Sequence, residues 1–175
     1  MKKVFYIIAL VFVSLLISGC VPETETKDEN GNTKKEFQIN ETAYVNDTKI
    51  TINSVKRINN ECAWEYEGEC QSYDNPENAF FILIDLTIEN TGDKELAISS
   101  MLTFDLKDQT GEKGKYALLT KSISSQLDGS VMAGDLLKGQ IAYDVKDSDK
   151  YYFYYSDSLV DDSIKFVINK SDISE

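Results

Sequence analysis

The chain has 175 residues, a formal net charge of −12 and no histidine. Its acidity argues against nucleic acid or anionic lipid as a ligand, because both would be repelled. The lack of histidine removes the commonest general base and the commonest zinc ligand, so we expect a non-enzymatic protein with no metal and no other cofactor.

The first twenty residues have the pattern of a secretory signal. Lys2 and Lys3 precede an uncharged apolar run, residues 4–17, which is shorter than the roughly 20 residues that span a bilayer as a helix. The sequence Ile17-Ser18-Gly19-Cys20 that follows resembles the lipobox of bacterial lipoproteins. That resemblance implies removal of residues 1–19, a diacylglycerol on Cys20 and further acylation, for example with palmitate. It also implies a location on the outer face of the bacterial cell membrane.

Two alternatives to this lipoprotein signal remain open at this stage. The apolar run could be an uncleaved membrane anchor, or a conventional secretory signal cut at another residue. Both also place the rest of the chain outside the cytoplasm.

Residues 20–35 contain proline, glycine, asparagine and mixed charges, with only one large apolar residue. This composition predicts a lipidated N-terminus followed by a flexible, disordered tether. The folded domain is expected to occupy residues 36–169, and residues 170–175 to form a C-terminal tail.

Apolar and polar residues alternate from residue 36 onward, which is typical of β-strands. Asn46-Asp47 predicts a two-residue hairpin turn, with Ile50 and Ile52 facing the core and Thr51 and Asn53 facing solvent. The segments from which strands are predicted are Phe37–Ile39, Tyr44–Val45, Thr48–Val55, Ala79–Glu89, Leu96–Ile98, Leu102–Leu106, Tyr116–Leu118, Leu137–Val145, Tyr151–Tyr155 and Ile164–Ile168, and we expect seven to nine strands among them.

The strongest predicted strand is residues 79–89. One face carries only apolar residues, whereas the other is apolar only at Phe81 and Leu83 and continues as Asp85, Thr87 and Glu89. This pattern predicts a central strand buried on one face along its whole length. Seven to nine short strands separated by turns therefore predict an all-β protein, an antiparallel β-sandwich.

The order of these features resembles an uncharacterised bacterial lipoprotein domain related to the immunoprotective extracellular protein. The resemblance rests on Thr48–Val55, Phe81–Asp93, Leu102–Asp108 and Ala133–Val145, and covers most of residues 36–169. Its most specific part is Glu89-Asn90-Thr91-Gly92-Asp93, followed later by Gly134 and Gly139. It implies an immunoglobulin-like sandwich outside the cytoplasm and supplies no catalytic residues. This chain departs from the pattern by an insertion at residues 59–77.

Cys62 and Cys70 bracket part of that insertion. In an oxidising compartment a pair at this spacing predicts a disulfide bond, which would close the loop between them. The insertion also holds Trp64, Tyr66 and Tyr73, aromatic types that are favoured at interfaces. The insertion is therefore either a stapled surface loop or a partner-binding loop.

Residues 151–155 are all aromatic, so both faces of one predicted strand carry rings. Tyr151, Phe153 and Tyr155 share one side, which we expect in the core. Tyr152 and Tyr154 share the other, as cross-strand packing or as a patch that binds a glycan or a protein.

Six aspartates lie in the last strands and their turns, either as a solvated acidic rim or as a calcium site: Asp144, Asp147, Asp149, Asp157, Asp161 and Asp162. Our first hypothesis is a lipid-anchored binding module of the cell envelope, with a protein or cell-wall partner. The alternative is a calcium-dependent or glycan-binding sensor of the envelope. A third hypothesis, a hydrolase that uses two carboxylates, names no pair of acids.

Overall fold

A computed structural model describes residues 26–58, 64–71, 79–119, 122–156 and 163–175. The described residues form an all-β sandwich, which confirms the predicted fold class. No helix in these ranges is long and apolar enough to cross a membrane. The predicted signal peptide, Cys20, Cys62 and Tyr73 lie outside the described residues.

The strands are more numerous than the sequence predicts. In chain order they are β1 (Thr42–Val45), β2 (Thr48–Ile58), β3 (Trp64–Tyr66), β4 (Glu69–Gln71), β5 (Ala79–Asn90), β6 (Leu96–Ile98), β7 (Phe104–Asp108), β8 (Lys115–Ala117), β9 (Gly129–Val131), β10 (Leu136–Lys146), β11 (Lys150–Ser156), β12 (Ser163–Asn169) and β13 (Ile173–Ser174). A short 3-10 helix, Lys170–Asp172, precedes β13. Strands β2, β5, β10, β11 and β12 extend beyond their predicted bounds.

Two sheets form the layers of the sandwich. The first sheet has the order β1-β2-β5-β10-β8, with β13 added in parallel to β2, and the second sheet has the order β12-β11-β7. Two short ladders, β3–β4 and β6–β9, lie outside these sheets. Every pairing except that of β13 with β2 is antiparallel between named strands.

Alternation along β5 decides which face is buried. Its five even-numbered apolar residues join the core between the sheets, as predicted: Phe80, Ile82, Ile84, Leu86 and Ile88. Phe81 and Leu83 point to the other side and form a smaller apolar cluster with Leu119. The outer face of β5 is thus covered only at its beginning, which confirms the expectation from the sequence.

The predicted turn at Asn46-Asp47 is also confirmed. β1 and β2 pair in register from Val45 opposite Thr48, and Asn46 has φ of 49°. Ile50 and Ile52 are fully buried, whereas Asn53 is exposed. Leu102, predicted to begin a strand, instead lies in a turn and is 83% exposed, because its amide N–H donates to the carbonyl of Ser99.

The Glu89–Asp93 sequence forms a turn built around Asn90. Asn90 is 2% exposed, and its side-chain amide donates to the carbonyls of Lys94 (2.6 Å) and Val131 (2.8 Å). Its Oδ1 accepts from the amide of Gly92. A Cβ atom on Gly92 would lie 2.7 Å from the Cβ of Asp47, so this close contact requires glycine.

Residues 26–35 are not the free tether that composition predicts. Lys27 and Tyr44 of β1 exchange two backbone hydrogen bonds of 2.8 Å. The Asp28 carboxylate accepts from the amides of Asn30 and Asn32, and the Lys34 ammonium lies 2.6 Å from Glu41. The segment is held by backbone pairing and turn chemistry rather than by apolar side chains, so it shows no apolar alternation.

The last six residues also differ from the predicted tail. Ile173 is half-buried against the core, and Ile173 and Ser174 pair with Val55 and Lys56 of β2. The 3-10 helix turns the chain back toward the first sheet, so the C-terminus is part of the sandwich.

Candidate binding face on the second sheet

The structure separates the aromatic residues that the sequence singles out. Tyr152 and Tyr154 lie half-buried on the outer face of the second sheet. Tyr66 is 64% exposed in the β3–β4 hairpin, in which Glu65 pairs with Cys70. For Trp64 and Cys70 only the backbone is described, so the disulfide stays a prediction.

Strand β11 positions the two tyrosines by simple alternation. Tyr151, Phe153 and Tyr155 are buried in the core, which confirms the expectation for that side. Tyr152 and Tyr154 therefore point away from the core. Each is flanked by a residue of β7 and a residue of β12, because β11 is the middle strand of its sheet.

A lysine from each neighbouring strand reaches diagonally over a ring. Lys107 of β7 pairs with Tyr152 in the register, but its Nζ lies 5.0 Å from the ring centroid of Tyr154. Lys165 of β12 pairs with Tyr154, but its Nζ lies 4.1 Å from the ring centroid of Tyr152. Both distances are within the range of a cation–π interaction. We call these four residues the lysine–tyrosine face.

Ion pairs border this face. Lys165 Nζ lies 2.7 Å from Glu36, and Lys113 Nζ lies 2.7 Å from Asp105. The hydrogen bond from Lys165 lowers the pKa of Glu36 and the same bond raises the pKa of Lys165. Lys150 lies on the same side of β11 as the two tyrosines and also lowers the pKa of Glu36 by its charge.

The lysine–tyrosine face differs in charge from the chain as a whole. Its two ionic side chains, Lys107 and Lys165, are both basic, and the neighbouring acids Glu36 and Asp105 pair with Lys165 and Lys113. The charge of the face itself is thus positive, whereas the chain carries −12. Such a face can donate charge-assisted hydrogen bonds to an anion and offer ring surface to a ligand.

Both edges of the second sheet are already paired. On β12, the carbonyl of Lys165 accepts from Phe37 N–H (2.9 Å) and the amide of Val167 donates to the Phe37 carbonyl (2.8 Å). On β7, the carbonyl of Leu106 accepts from Gly114 N–H (2.8 Å). Neither edge is free at these positions to accept an added strand, so a ligand would meet the sheet through its outer face.

A second candidate is an open cleft of about 330 Å³ beside the β7–β8 turn. Burial raises the pKa of Asp144, and the charge of Lys115 opposes this shift. Burial also acts to raise the pKa of Asp108, but hydrogen bonds from Thr110 and Glu112 outweigh it and lower the pKa. Four groups that line this cleft, Asp108, Glu112, Lys113 and Lys146, already bond to other residues of the chain.

The aspartates proposed as a calcium site are only partly described. Asp147 forms an ion pair with Lys170 at 2.6 Å, and Asp157, Asp161 and Asp162 lie outside the described residues. Within the described ranges, no three His, Cys, Asp or Glu side chains are grouped so that they could hold a metal ion.

Sequence reasoning found the two tyrosines but missed the two lysines. Lys107 and Lys165 occupy polar positions in alternating strands, and nothing in the sequence shows which residues lie opposite them. The two lysines can be identified as neighbours of the tyrosines only when the register of β7, β11 and β12 is known.

Comparison with known proteins gives a family and a fold. Residues 37–166 match the domain of unknown function DUF4352. No curated protein matches the chain in sequence.

Among solved structures, the candidate lipoprotein ycdA of Bacillus subtilis is similar with a TM-score of 0.57 and 18% identity, over 71% of this chain and 37% of that one. The yjhA protein of Bacillus subtilis has a TM-score of 0.56 and 18% identity, over 76% and 99%. An uncharacterised β-sandwich protein of Clostridium difficile has a TM-score of 0.49 and 20% identity, over 79% and 97%. The chain thus spans little more than a third of ycdA, and the likeness to the two Bacillus proteins shows a shared fold.

Proposed function

The chain belongs to the DUF4352 family, a domain of unknown function, and we propose that this member of the family is a lipid-anchored, non-enzymatic binding module outside the cytoplasm. Its binding surface is the lysine–tyrosine face. The observation that carries this proposal is the pairing of two solvent-facing tyrosines with two lysines on one face of a sheet in an acidic protein.

The proposed location rests on the N-terminal sequence. Ile17-Ser18-Gly19-Cys20 fits a lipobox, and the similar ycdA protein is described as a candidate lipoprotein. We also propose a relation to the immunoprotective extracellular protein family, which agrees with this location. Two or three acyl chains on Cys20, at about 0.8 kcal/mol per buried methylene, would hold a small domain stably on a membrane.

Mass spectrometry of the protein in its own bacterium tests the anchor. We expect the membrane-bound protein to begin at Cys20 and to carry the mass of a diacylglycerol. The Cys20→Ala variant should lose the lipid, whereas Cys70→Ala should keep it. A wild-type protein that is membrane-bound without a lipid on Cys20 would contradict the proposal.

We also propose that Cys62 and Cys70 form a disulfide bond outside the cytoplasm. The support for this is the spacing of the two cysteines in a chain that we expect outside the cytoplasm. Alkylation of the purified protein before and after reduction measures free thiols. Two thiols that appear only after reduction are expected, and two that react beforehand would disprove the bond.

Co-sedimentation with isolated cell envelopes tests the binding function. The mature chain with Cys20→Ala provides a lipid-free form, so that any sedimentation reports the domain. We expect it to sediment with envelopes, and we expect Lys107→Gln and Lys165→Gln together to abolish this. Equal sedimentation of both forms would show that binding does not use the lysine–tyrosine face.

A further inference from the structure

We propose that the lysine–tyrosine face binds a short acidic saccharide. This inference rests on the proposed binding function and names the chemical class of its ligand. It follows from the closed edges of the second sheet, the fixed positions of its lysines and the charge of the chain around them.

The closed edges argue against an extended peptide. A peptide that joins a sheet gains most of its affinity from backbone hydrogen bonds at a free edge. At β12 those bonds go to Phe37, and at β7 one goes to Gly114. A saccharide needs no edge, because its hydroxyl and acid groups take hydrogen bonds from side chains.

The rings hold the lysines in place before a ligand arrives. A lysine normally loses much side-chain freedom when it binds, and that loss weakens binding. Lys165 is already held over Tyr152 and Lys107 over Tyr154, so less freedom remains to be lost. The two ammonium groups therefore form a preorganised pair of anion contacts, one on each side of β11.

The tyrosines add surface and hydroxyl groups between these charges. Tyr152 and Tyr154 are two residues apart on one side of a strand, so their Cα atoms are separated by about 7 Å. Their rings can contact the C–H faces of neighbouring sugars, and their hydroxyls can bond to sugar hydroxyls. An acid group on each flank would meet a lysine.

The overall charge limits the length of the ligand. At physiological salt, charges more than about 8 Å away are strongly screened, so the charges on and beside the face set the potential there. A long polyanion would extend beyond the face toward the acidic remainder of a chain with charge −12. A short ligand with few charges avoids this repulsion.

NMR titration of the lipid-free mature chain with trigalacturonate is the test. We expect shifts confined to β7, β11 and β12, and weaker binding as salt rises. Three comparison probes separate the alternatives: maltotriose lacks the acids, acetylated and amidated triglutamate has the same number of carboxylates on a peptide, and a three-nucleotide single-stranded DNA is an aromatic anion. Each should bind at least about fivefold more weakly than trigalacturonate.

Matched variants link the binding to the face. Lys165→Gln should weaken trigalacturonate binding about fivefold. Lys49→Gln is the control, because Lys49 also pairs with a glutamate (Glu89, 2.8 Å) and lies over a tyrosine (Tyr44, 5.7 Å), but on the first sheet. It should leave the affinity unchanged. Tyr152→Phe keeps a ring under Lys165 and should bind nearly as well, whereas Tyr152→Leu should not.

Three results would overturn the ligand class. These are no shifts with trigalacturonate, equal binding of triglutamate or DNA, and equal losses from Lys49→Gln and Lys165→Gln. If envelope binding still depends on Lys107 and Lys165 in those cases, the proposed binding function stands and only the saccharide is wrong. If envelope binding is also independent of them, both proposals fail.

Discussion

Lys165 stands beside Tyr154 in the strand register, yet its ammonium lies 4.1 Å from the ring centroid of Tyr152. The same ammonium is 2.7 Å from the Glu36 carboxylate. One lysine thus joins β11, β12 and the segment before β1, and the acid beside it sets how much of its charge a ligand can use.

Removing that acid should strengthen anion binding. Glu36→Gln leaves the size of the side chain unchanged but deletes the negative charge that competes for Lys165. We expect trigalacturonate to bind about two- to fivefold more tightly to Glu36→Gln, as measured by the same NMR titration. Glu89→Gln, beside Lys49 on the first sheet, should not change the affinity.

The Glu36–Lys165 pair should also contribute a small, pH-dependent stability. The pKa of Glu36 is lower in the folded protein than its ordinary value of 4.5, so the contribution is present above that value and is lost as pH falls through the lowered one. Because both groups are partly exposed, we expect at most about 0.5 kcal/mol. Urea unfolding of wild type and Glu36→Gln should differ near neutral pH and converge in acid.

Removal of two buried tyrosine hydroxyls should have different effects on the free energy of unfolding. Tyr151 Oη donates to the carbonyl of Lys146 at 2.6 Å, whereas the buried Tyr143 Oη has no hydrogen-bond partner among the described residues. Tyr151→Phe should cost about 1–2 kcal/mol, and Tyr143→Phe should be neutral or stabilising by about 1 kcal/mol. Denaturant unfolding of both variants measures this. A clear loss of stability in Tyr143→Phe would show that its hydroxyl is bonded.

The same tyrosines should set the alkaline limit of the fold. Burial raises the pKa of Tyr151 from 10.0 to about 12 and also raises the pKa of Tyr143. Because the folded state holds these protons more tightly than the unfolded state, this stability is present below pH 10 and is lost as pH rises toward 12. Unfolding free energies measured across this range should fall, and less steeply in Tyr143→Phe.

Replacement by alanine should destabilise the fold at both Gly139 and Gly134, but to different extents and for different reasons. A Cβ on Gly139 would lie 2.8 Å from the Cα of Leu127, where only the backbone could move. Gly134 has no atom in the way but has φ of +80°, which costs alanine about 1 kcal/mol. We expect Gly139→Ala to lower the melting temperature more than Gly134→Ala. The reverse order would show that the backbone near Leu127 yields easily.

Strand identity could be predicted from the sequence wherever one face is buried along its length. The alternation in β2, β5 and β11 decides which residues enter the core, and each of those expectations is confirmed. β6 matches the predicted segment Leu96–Ile98, but its partner β9 escaped prediction, because three residues carry too little periodicity. The pairing of Lys27 with β1 could not be predicted for a different reason: backbone hydrogen bonds hold this segment, and they impose no pattern of apolar side chains on the sequence.

The lysine–tyrosine face could also be predicted only in part, because the sequence pattern assigns residues to a side of a strand but does not give the strand register. Tyr152 and Tyr154 could be assigned to one side of a strand from sequence, but their lysine partners come from residues 45 positions before and 13 positions after Tyr152. Such pairings depend on how three strands align, which is decided by the whole core.

The pairing of Lys27 with Tyr44 limits the distance between the domain and a lipid on Cys20. Lys27 is seven residues beyond Cys20, so the linker between them is at most about 25 Å long. A linker that ran to residue 35 would reach about 55 Å. Because Lys27 runs antiparallel to β1, the chain enters at the end that carries the Asn46-Asp47 turn, whereas β2 leaves for the hairpin at the opposite end. The inserted hairpin is thus connected to the end of the sandwich opposite the one at which the N-terminal segment enters.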